Sequence, residues 1–261
     1  MNQQNNIGII GLGLIGGSIA KALKKRAPGS SIASLTRPCQ DLERAVSERA
    51  VDRLFGTWEE LIDWSEMIIL AAPLSTLVPL AEEIAKRCPA WKRLLVIDVG
   101  SVKGATVPVF EALTTDNLEF LSTHPMAGKE TGGFVSSEAD LFQDCSWIVT
   151  PHGRNQSCTC NVVLSLLEVL GAKVAVMDAK THDEQTALIS HLPALLSRSL
   201  LKFVEKTNPE SLKIAGPGFQ SMTRLARDNP QMQGEIAELN KKELNKLLSL
   251  WIEHIKEEIK C

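Results

Sequence analysis

The feature that most constrains this chain is Gly11-Leu-Gly-Leu-Ile-Gly16, because of what stands on either side of it. Ile7 to Ile10 is a short apolar run that reads as a buried strand, and Ser18 to Lys25 reads as a helix. Glycines at this spacing between a strand and a helix suit a dinucleotide's pyrophosphate. Gly11 permits the tight turn, Gly13 lets the backbone approach the phosphates, and Gly16 allows the helix to pack closely. The helix N-terminus adds N–H groups and the positive end of a dipole. The spacing therefore predicts that the chain opens with a dinucleotide-binding unit; the bland alternative is a glycine-rich turn that only packs tightly.

Beyond the fingerprint, short Ile- and Val-rich runs alternate with helix-length segments, the pattern of a parallel α/β sheet. The strands drawn from it are Ile7 to Ile10, Ser31 to Leu35, Met67 to Ala71, Leu94 to Val99, Glu119 to Thr123, Trp147 to Thr150 and Lys173 to Met177. Near Asp178 the alternation stops and the rest reads as helix. Thr181-x-x-Glu184 is read as a capping box opening a helix to about Lys206, buried on all sides from Leu188 to Val204 and kinked by Pro193. A short helix over Phe219 to Arg227 and a final amphipathic helix from Pro230 to Ile259 complete the chain. The expected fold class is α/β: an N-terminal Rossmann-type doubly wound sheet over residues 1–179, then an all-helical C-terminal domain over 180–261. The helical part is small and apolar, so burying it calls for a second copy and predicts a homodimer through the C-terminal helices.

Composition narrows the partners. The 28 basic and 31 acidic side chains leave a net charge of -3, which offers no footprint for a nucleic acid or an anionic membrane. Uninterrupted apolar runs such as Met67 to Pro73 fall short of the ~18 residues of a membrane span, and the polar start has no leader-like pattern. The expectation is a cytoplasmic protein acting on a small molecule, with no nucleic-acid or membrane partner. Six scattered cysteines read as reduced thiols, Cys158-x-Cys160 being a remote metal candidate. The chain has no tyrosine, which excludes any mechanism with a tyrosine acid or base.

Several segments fall where strands end, the side on which open α/β sheets bind ligands. The second strand runs into Ser34-Leu-Thr-Arg37, with no acid before Asp41, where NAD enzymes carry a carboxylate for the ribose 2′-hydroxyl. An arginine there suits a 2′-phosphate, so NADP is preferred to NAD; the alternative is a solvated Arg37. Asp98-Val-Gly-Ser-Val-Lys103 closes the fourth strand and places Ser101 and Lys103 to reach a nicotinamide and its substrate, unless Ser101 is a helix N-cap and Lys103 a solvated charge. His124, in Ser122-Thr-His-Pro-Met-Ala-Gly128, falls at the next strand end, and histidine is the commonest proton acceptor in alcohol oxidation. His191, in Ser190-His-Leu-Pro193, is either a buried core residue or a wall of the substrate pocket, whereas His152, His182 and His254 read as ordinary. Arg224, in Thr223-Arg-Leu-Ala226, faces a substrate carboxylate or pairs with nearby Asp228.

Taken in order, the fingerprint, Asp98-Val-Gly-Ser-Val-Lys103, His124-Pro-Met-Ala-Gly128, Ser190-His-Leu-Pro193 and Gly218-Phe219 with Thr223-Arg-Leu-Ala226 resemble the prephenate/arogenate dehydrogenases of tyrosine biosynthesis. The motifs cover nearly the whole chain, with no mutase segment before them and no regulatory tail after, as in monofunctional members. The resemblance implies a Rossmann domain, a helical dimerisation domain, and catalysis between them. It implies that His124 takes the proton of the ring hydroxyl, that Ser101 orients that hydroxyl and the histidine, and that Arg224 binds the ring carboxylate. His191, Glu130 and Gln233 complete the substrate set. The cofactor set is Gly11, Gly13, Leu14, Ile15 and Gly16, then Ser34, Thr36 and Arg37, then Ala72 and Pro73, with Ser101.

Departures from the family pattern bear on the substrate. Ala194 stands where many prephenate-using members have a second histidine, Gln220-Ser221 replaces the usual acidic stretch, and Gln233 replaces an aromatic. With Arg37, these features resemble the NADP-dependent arogenate branch, prephenate with NAD or NADP being the alternative. More distant readings are a β-hydroxyacid dehydrogenase or imine reductase, whose chemistry leans on a lysine of the helical domain, and a nucleotide-sensing module that needs neither His124 nor Ser101.

Overall fold

The computed structural model describes residues 6–35 and 40–260. The chain divides into two compact units, Met1–Ala179 and Lys180–Cys261.

The first unit is built on one eight-stranded sheet, ordered β3-β2-β1-β4-β5-β6-β7-β8. Its strands are Asn6–Ile10 (β1), Ser31–Leu35 (β2), Arg53–Phe55 (β3), Met67–Leu70 (β4), Leu94–Asp98 (β5), Leu118–Pro125 (β6), Ser146–Thr150 (β7) and Lys173–Val176 (β8). All neighbours pair in parallel except β6 with β7. Six helices connect them: Leu14–Arg26 (α1), Gln40–Ser47 (α2), Trp58–Trp64 (α3), Leu74–Arg87 (α4), Val107–Leu113 (α5) and Ser157–Val169 (α6). The continuous apolar runs form strands because both sheet faces are covered, and Ile9, Ile32, Ile69 and Ile97 are essentially without solvent exposure. Strand order runs outward from β1 to β3, then resumes on the other side of β1 at β4. That reversal makes a crevice outside the carboxyl ends of β1 and β4.

Seven strands match the sequence reading to within a few residues. The eighth, Arg53–Phe55, is too short and too exposed to show a pattern. The sixth runs on to Pro125, so His124 lies inside the strand rather than just beyond it. The antiparallel β7 supplies the reason: Thr123 to Pro125 find partners in Trp147 to Val149.

The second unit is helical: Ala179–Thr186 (α7), Leu192–Thr207 (α8), Pro217–Met222 (α9), Pro230–Leu239 (α10) and Lys241–Glu258 (α11). α7 begins at Ala179, so Thr181 stands inside the helix rather than at its N-cap, where the sequence reading put it. A capping box is formed at Thr57, whose hydroxyl accepts from the Glu60 N–H while the Glu60 carboxylate accepts from the Thr57 N–H. The kink expected at Pro193 takes the form of a wide π turn, Ala187–His191, in which the Leu192 N–H reaches back to Ala187 O. Proline has no N–H and its ring crowds the carbonyl four residues earlier, so an ordinary turn cannot continue through it. The expected final helix breaks in two at Asn240, and the segment after Gly218 is split into α9 and a short 3-10 turn, Arg224–Arg227.

The expectation of burial on all sides from Leu188 to Val204 is not met. Leu188, Ile189 and Phe203 are each more than half exposed, as are Ile214, Leu250 and Ile259 elsewhere in this unit. A domain of this size has too few side chains to cover every face of its own central helix. Counting uninterrupted apolar runs also understates Ala179–Thr207, which by length and composition could cross a membrane. Its inner side carries His182, Asp183, His191 and Ser197, all buried, and α8 contacts α10 and α11, the pattern of a helix that packs on protein.

Candidate active site

Four adjacent parallel strands, β1, β4, β5 and β6, end on one edge of the sheet, and each is followed by residues singled out above. After β1, Gly11 has φ +98, and a Cβ there would collide with the Ala71 carbonyl; one on Gly16 would collide with Gly11 O. Both glycines are thus demanded by the protein's own packing. A Cβ on Gly13 would meet nothing, so its smallness serves approach from outside rather than internal packing. Gly13 is also the N-cap of α1, with no side-chain cap hydrogen bond and no acidic residue in the first turn. An uncapped helix N-terminus behind a bare backbone fits a pyrophosphate. Leu14 and Ile15, both half-buried, open the helix.

After β4 come half-buried Ala72 and exposed Pro73, the N-cap of α4. Ser34 differs from its expected role: its hydroxyl is buried and donates to Ile9 O at 2.7 Å, bracing β2 against β1. Thr36 and Arg37 lie outside the described residues.

The segment after β5 departs most from the sequence reading. Lys103 reaches neither solvent nor the crevice; its side chain is fully buried. Its Nζ donates to Asp98 Oδ2 (2.6 Å), Thr123 O (2.6 Å) and Ser122 Oγ (3.1 Å). Asp98 Oδ1 accepts from Ser122 Oγ (2.6 Å) and the Thr123 N–H (3.2 Å), while Oδ2 also accepts from the Gly100 N–H (2.8 Å). Thr123 Oγ1 donates to Asp98 O and accepts from the Trp147 indole N–H at 2.9 Å. A lysine and an aspartate five apart across a turn at a buried strand end were the signal. The sequence left a lysine reaching the site or a solvated charge as the two fates, because it does not show how deep that turn lies. Half-buried Ser101 stands inside this turn, and Thr106 rather than Ser101 precedes α5.

The same network anchors His124, which is 7% exposed. Alternation along β6 puts its side chain on the same face as Ser122, one step nearer the strand's carboxyl end. The chain then continues through Gly128 and half-buried Lys129 to exposed Glu130. Lys129 ties that stretch to the turn that follows, its Nζ donating to Ser136 O at 2.9 Å, and that turn is anchored by Phe134, fully buried, whose N–H donates to Asp41 Oδ1 at 2.8 Å.

In the helical unit, His191 closes the π turn and is 4% exposed. Its Nδ1 lies 3.2 Å from Asn240 Nδ2, which also donates to Asp183 O at 2.9 Å. Its Nε2 is buried and has no hydrogen-bond partner among the described residues. Burial holds the ring's pKa down at about 4, the charge of nearby His182 working in the same direction and Asp183 against it. His182, expected to be ordinary, is fully buried with Nδ1 2.7 Å from Asp183 Oδ1. Arg224 is exposed, contrary to a guanidinium buried in an apolar domain, and Gln233 is half-buried with its amide donating to Asp228 Oδ2 at 3.3 Å. Asn240 escaped the sequence reading; a polar residue inside an otherwise continuous apolar periodicity was its signal.

Of the remaining histidines, His152 is half-buried with Nε2 2.8 Å from Phe120 O, and burial lowers its pKa; His254 is exposed. Cys158 and Cys160 belong to no cluster of three or more metal-ligating side chains among the described residues.

Residues 19–176 match the family model described as prephenate dehydrogenase, nucleotide-binding domain, and residues 178–260 match that described as prephenate dehydrogenase, dimerization domain. The chain is 30% identical over 259 residues to a Bacillus subtilis prephenate dehydrogenase, an alignment spanning 98% of this chain and 70% of the relative. Among solved structures it resembles Aquifex aeolicus prephenate dehydrogenase in complex with hydroxyphenyl propionate and NAD+ (TM-score 0.89, 27% identity, 98% of this chain and 91% of that one). Synechocystis arogenate dehydrogenase is also similar (TM-score 0.80, 28% identity, 98% and 91%).

Proposed function

This chain belongs to the prephenate/arogenate dehydrogenase family of oxidoreductases, and on that footing we propose that it converts arogenate to tyrosine with NADP as hydride acceptor. The observation that carries the chemistry is the sheet edge shared by β1, β4, β5 and β6, where the glycine turn follows β1, Ser101 follows β5 and His124 stands near the carboxyl end of β6. A bound nicotinamide supplies the acceptor for the hydride. Gly11, Gly13, Leu14, Ile15 and Gly16 hold its pyrophosphate, and Ala72, Pro73 and Ser101 line the nicotinamide side. Arg37 meets the 2′-phosphate.

His124 accepts the proton of the ring hydroxyl as hydride leaves the same carbon, and Ser101 orients both. The electron pair of the ring–carboxylate bond then flows into the ring, CO2 departs, and the proton held by His124 returns to the phenolate oxygen. Aromatisation drives the step, so the protein's task is to place the ring and hold one proton. Arg224 binds the ring carboxylate, while His191, Gln233 and Glu130 receive the three-carbon side chain. Ala194 supports arogenate: it is buried in α8 where a second histidine would otherwise meet a pyruvyl group. The exposed apolar residues of the helical unit, Leu188, Ile189 and Phe203 among them, support a homodimer.

A second reading, prephenate with NAD, draws on the Bacillus relative's name and on the NAD+ in the Aquifex complex. Reduced-cofactor absorbance on mixing the protein with arogenate or prephenate, each with NADP and with NAD, decides between them. Faster turnover of arogenate with NADP is expected. Preference for prephenate overturns the substrate, and no turnover with either overturns the reading. In the same assay His124→Asn lowers kcat about 100-fold or more with cofactor binding intact; unchanged kcat removes it as the base.

A further inference from the structure

We propose that Asn240 holds His191 in a single tautomer, with the proton on Nε2, so that His191 meets the substrate's three-carbon side chain only as a hydrogen-bond donor. The proposal rests on the functional reading for the identity of the substrate. The tautomer itself rests on geometry.

The Asp183 carbonyl oxygen can only accept, so the Asn240 atom 2.9 Å from it must be the amide nitrogen. That same nitrogen lies 3.2 Å from His191 Nδ1. An amide nitrogen has a second N–H to give and no lone pair to receive with, so Nδ1 accepts and carries no proton. In a neutral imidazole the proton is then on Nε2. Burial keeps the ring neutral near pH 7, and the titratable groups beside it are the paired His182 and Asp183.

The donor this creates is a buried nitrogen without a partner among the described residues. Buried donors in folded proteins are nearly always satisfied, and one left open at a π turn selects what satisfies it. A carboxylate or keto oxygen does so. An ammonium, which can only donate, does not. His191 therefore reads the side-chain carboxylate that arogenate and prephenate share, or the keto oxygen of prephenate, and leaves arogenate's ammonium to another group. Asn240 acts through His191 and is a positioning residue. It is also the residue that breaks the last amphipathic run into α10 and α11, which brings its amide to α7 and the π turn at once.

The test is long-range proton–nitrogen NMR on protein carrying 15N-histidine, with 3-(4-hydroxyphenyl)propionate as the carboxylate probe. Wild type is expected to show His191 as the Nε2–H tautomer, and the probe to move that N–H signal downfield. In Asn240→Asp a carboxylate replaces the donor, so Nδ1 gains a proton, and KM for the turned-over substrate rises about tenfold or more while kcat changes little. His191→Gln, which keeps an amide donor, retains more affinity than His191→Ala. A wild-type Nδ1–H spectrum, an Nε2–H signal indifferent to the probe, or an Asn240→Asp protein with normal KM overturns the proposal. If Asn240→Asp does not fold, the wild-type spectrum, the probe shift and the two His191 variants still decide. Lack of turnover on both substrates overturns the functional reading instead, and the tautomer spectrum is read independently of it.

Discussion

The two units each bury a cluster of charged and polar side chains, and the clusters are finished differently. Around Asp98 and Lys103, donors and acceptors meet one another: three protein oxygens surround the ammonium, and both carboxylate oxygens accept from at least two groups. Around His182, Asp183, His191 and Asn240 the bonds also run inward, except that His191 Nε2 is left over. A closed network in a low dielectric acts as a clamp, because any rearrangement strands a charge. An open one stores a binding preference, because the leftover group is satisfied only when a ligand arrives. The difference teaches where to look for each role: the β5–β6 clamp sits beside Ser101 and His124, while the helical cluster keeps a buried ring nitrogen open for the contact proposed above.

The comparison breaks most visibly at Lys103. Lys103→Met leaves Asp98 buried without its cation and should cost about 3–5 kcal/mol of unfolding free energy in urea titration. Adding Asp98→Asn should recover a large part of it. A loss below about 1 kcal/mol would show that the network opens to water and is no clamp.

The open cluster should reveal itself through pH. The folded pKa of His191, about 4, lies below its ordinary 6.5, so the unfolded chain binds the extra proton first. The associated stability is fully present above pH 6.5 and is lost as pH falls toward 4, by up to about 3 kcal/mol. Comparing urea midpoints of wild type and His191→Gln between pH 7.5 and about 4.5 isolates it; parallel curves would mean that the ring is solvated.

The smallest effect sharpens the contrast. Trp147→Phe removes the indole N–H bond to Thr123 Oγ1 at the margin of the clamp while keeping most of the ring's packing against Phe142. About 1 kcal/mol is expected by thermal melting, with KM unchanged. A change in KM instead would extend the active site as far as β7.

Much of this protein was legible beforehand because local rules suffice for it. Gly11 and Gly16 have no alternative residue once a strand must turn into a helix at that closeness. The apolar runs Met67–Leu70 and Leu94–Asp98 announce strands because a parallel sheet hides both faces. His124 was singled out because strand ends are where such sheets bind ligands. Lys103, Ser34 and Asn240 were misjudged or missed for the opposite reason. Each is decided by partners far away in the chain: Thr123 for Lys103, Ile9 for Ser34, Asp183 and His191 for Asn240.

Pattern and spacing, which are properties of neighbouring residues, thus determined the class of fold and the types of residue at the strand ends. Only the tertiary structure decided which polar groups are consumed and which remain. Hydrogen-bond satisfaction is a property of three-dimensional neighbours: Lys103 reads as a site lysine or a solvated charge until Asp98, Ser122 and Thr123 close around it, and His191 reads as a core residue or a pocket wall until Asn240 takes one ring nitrogen and leaves the other.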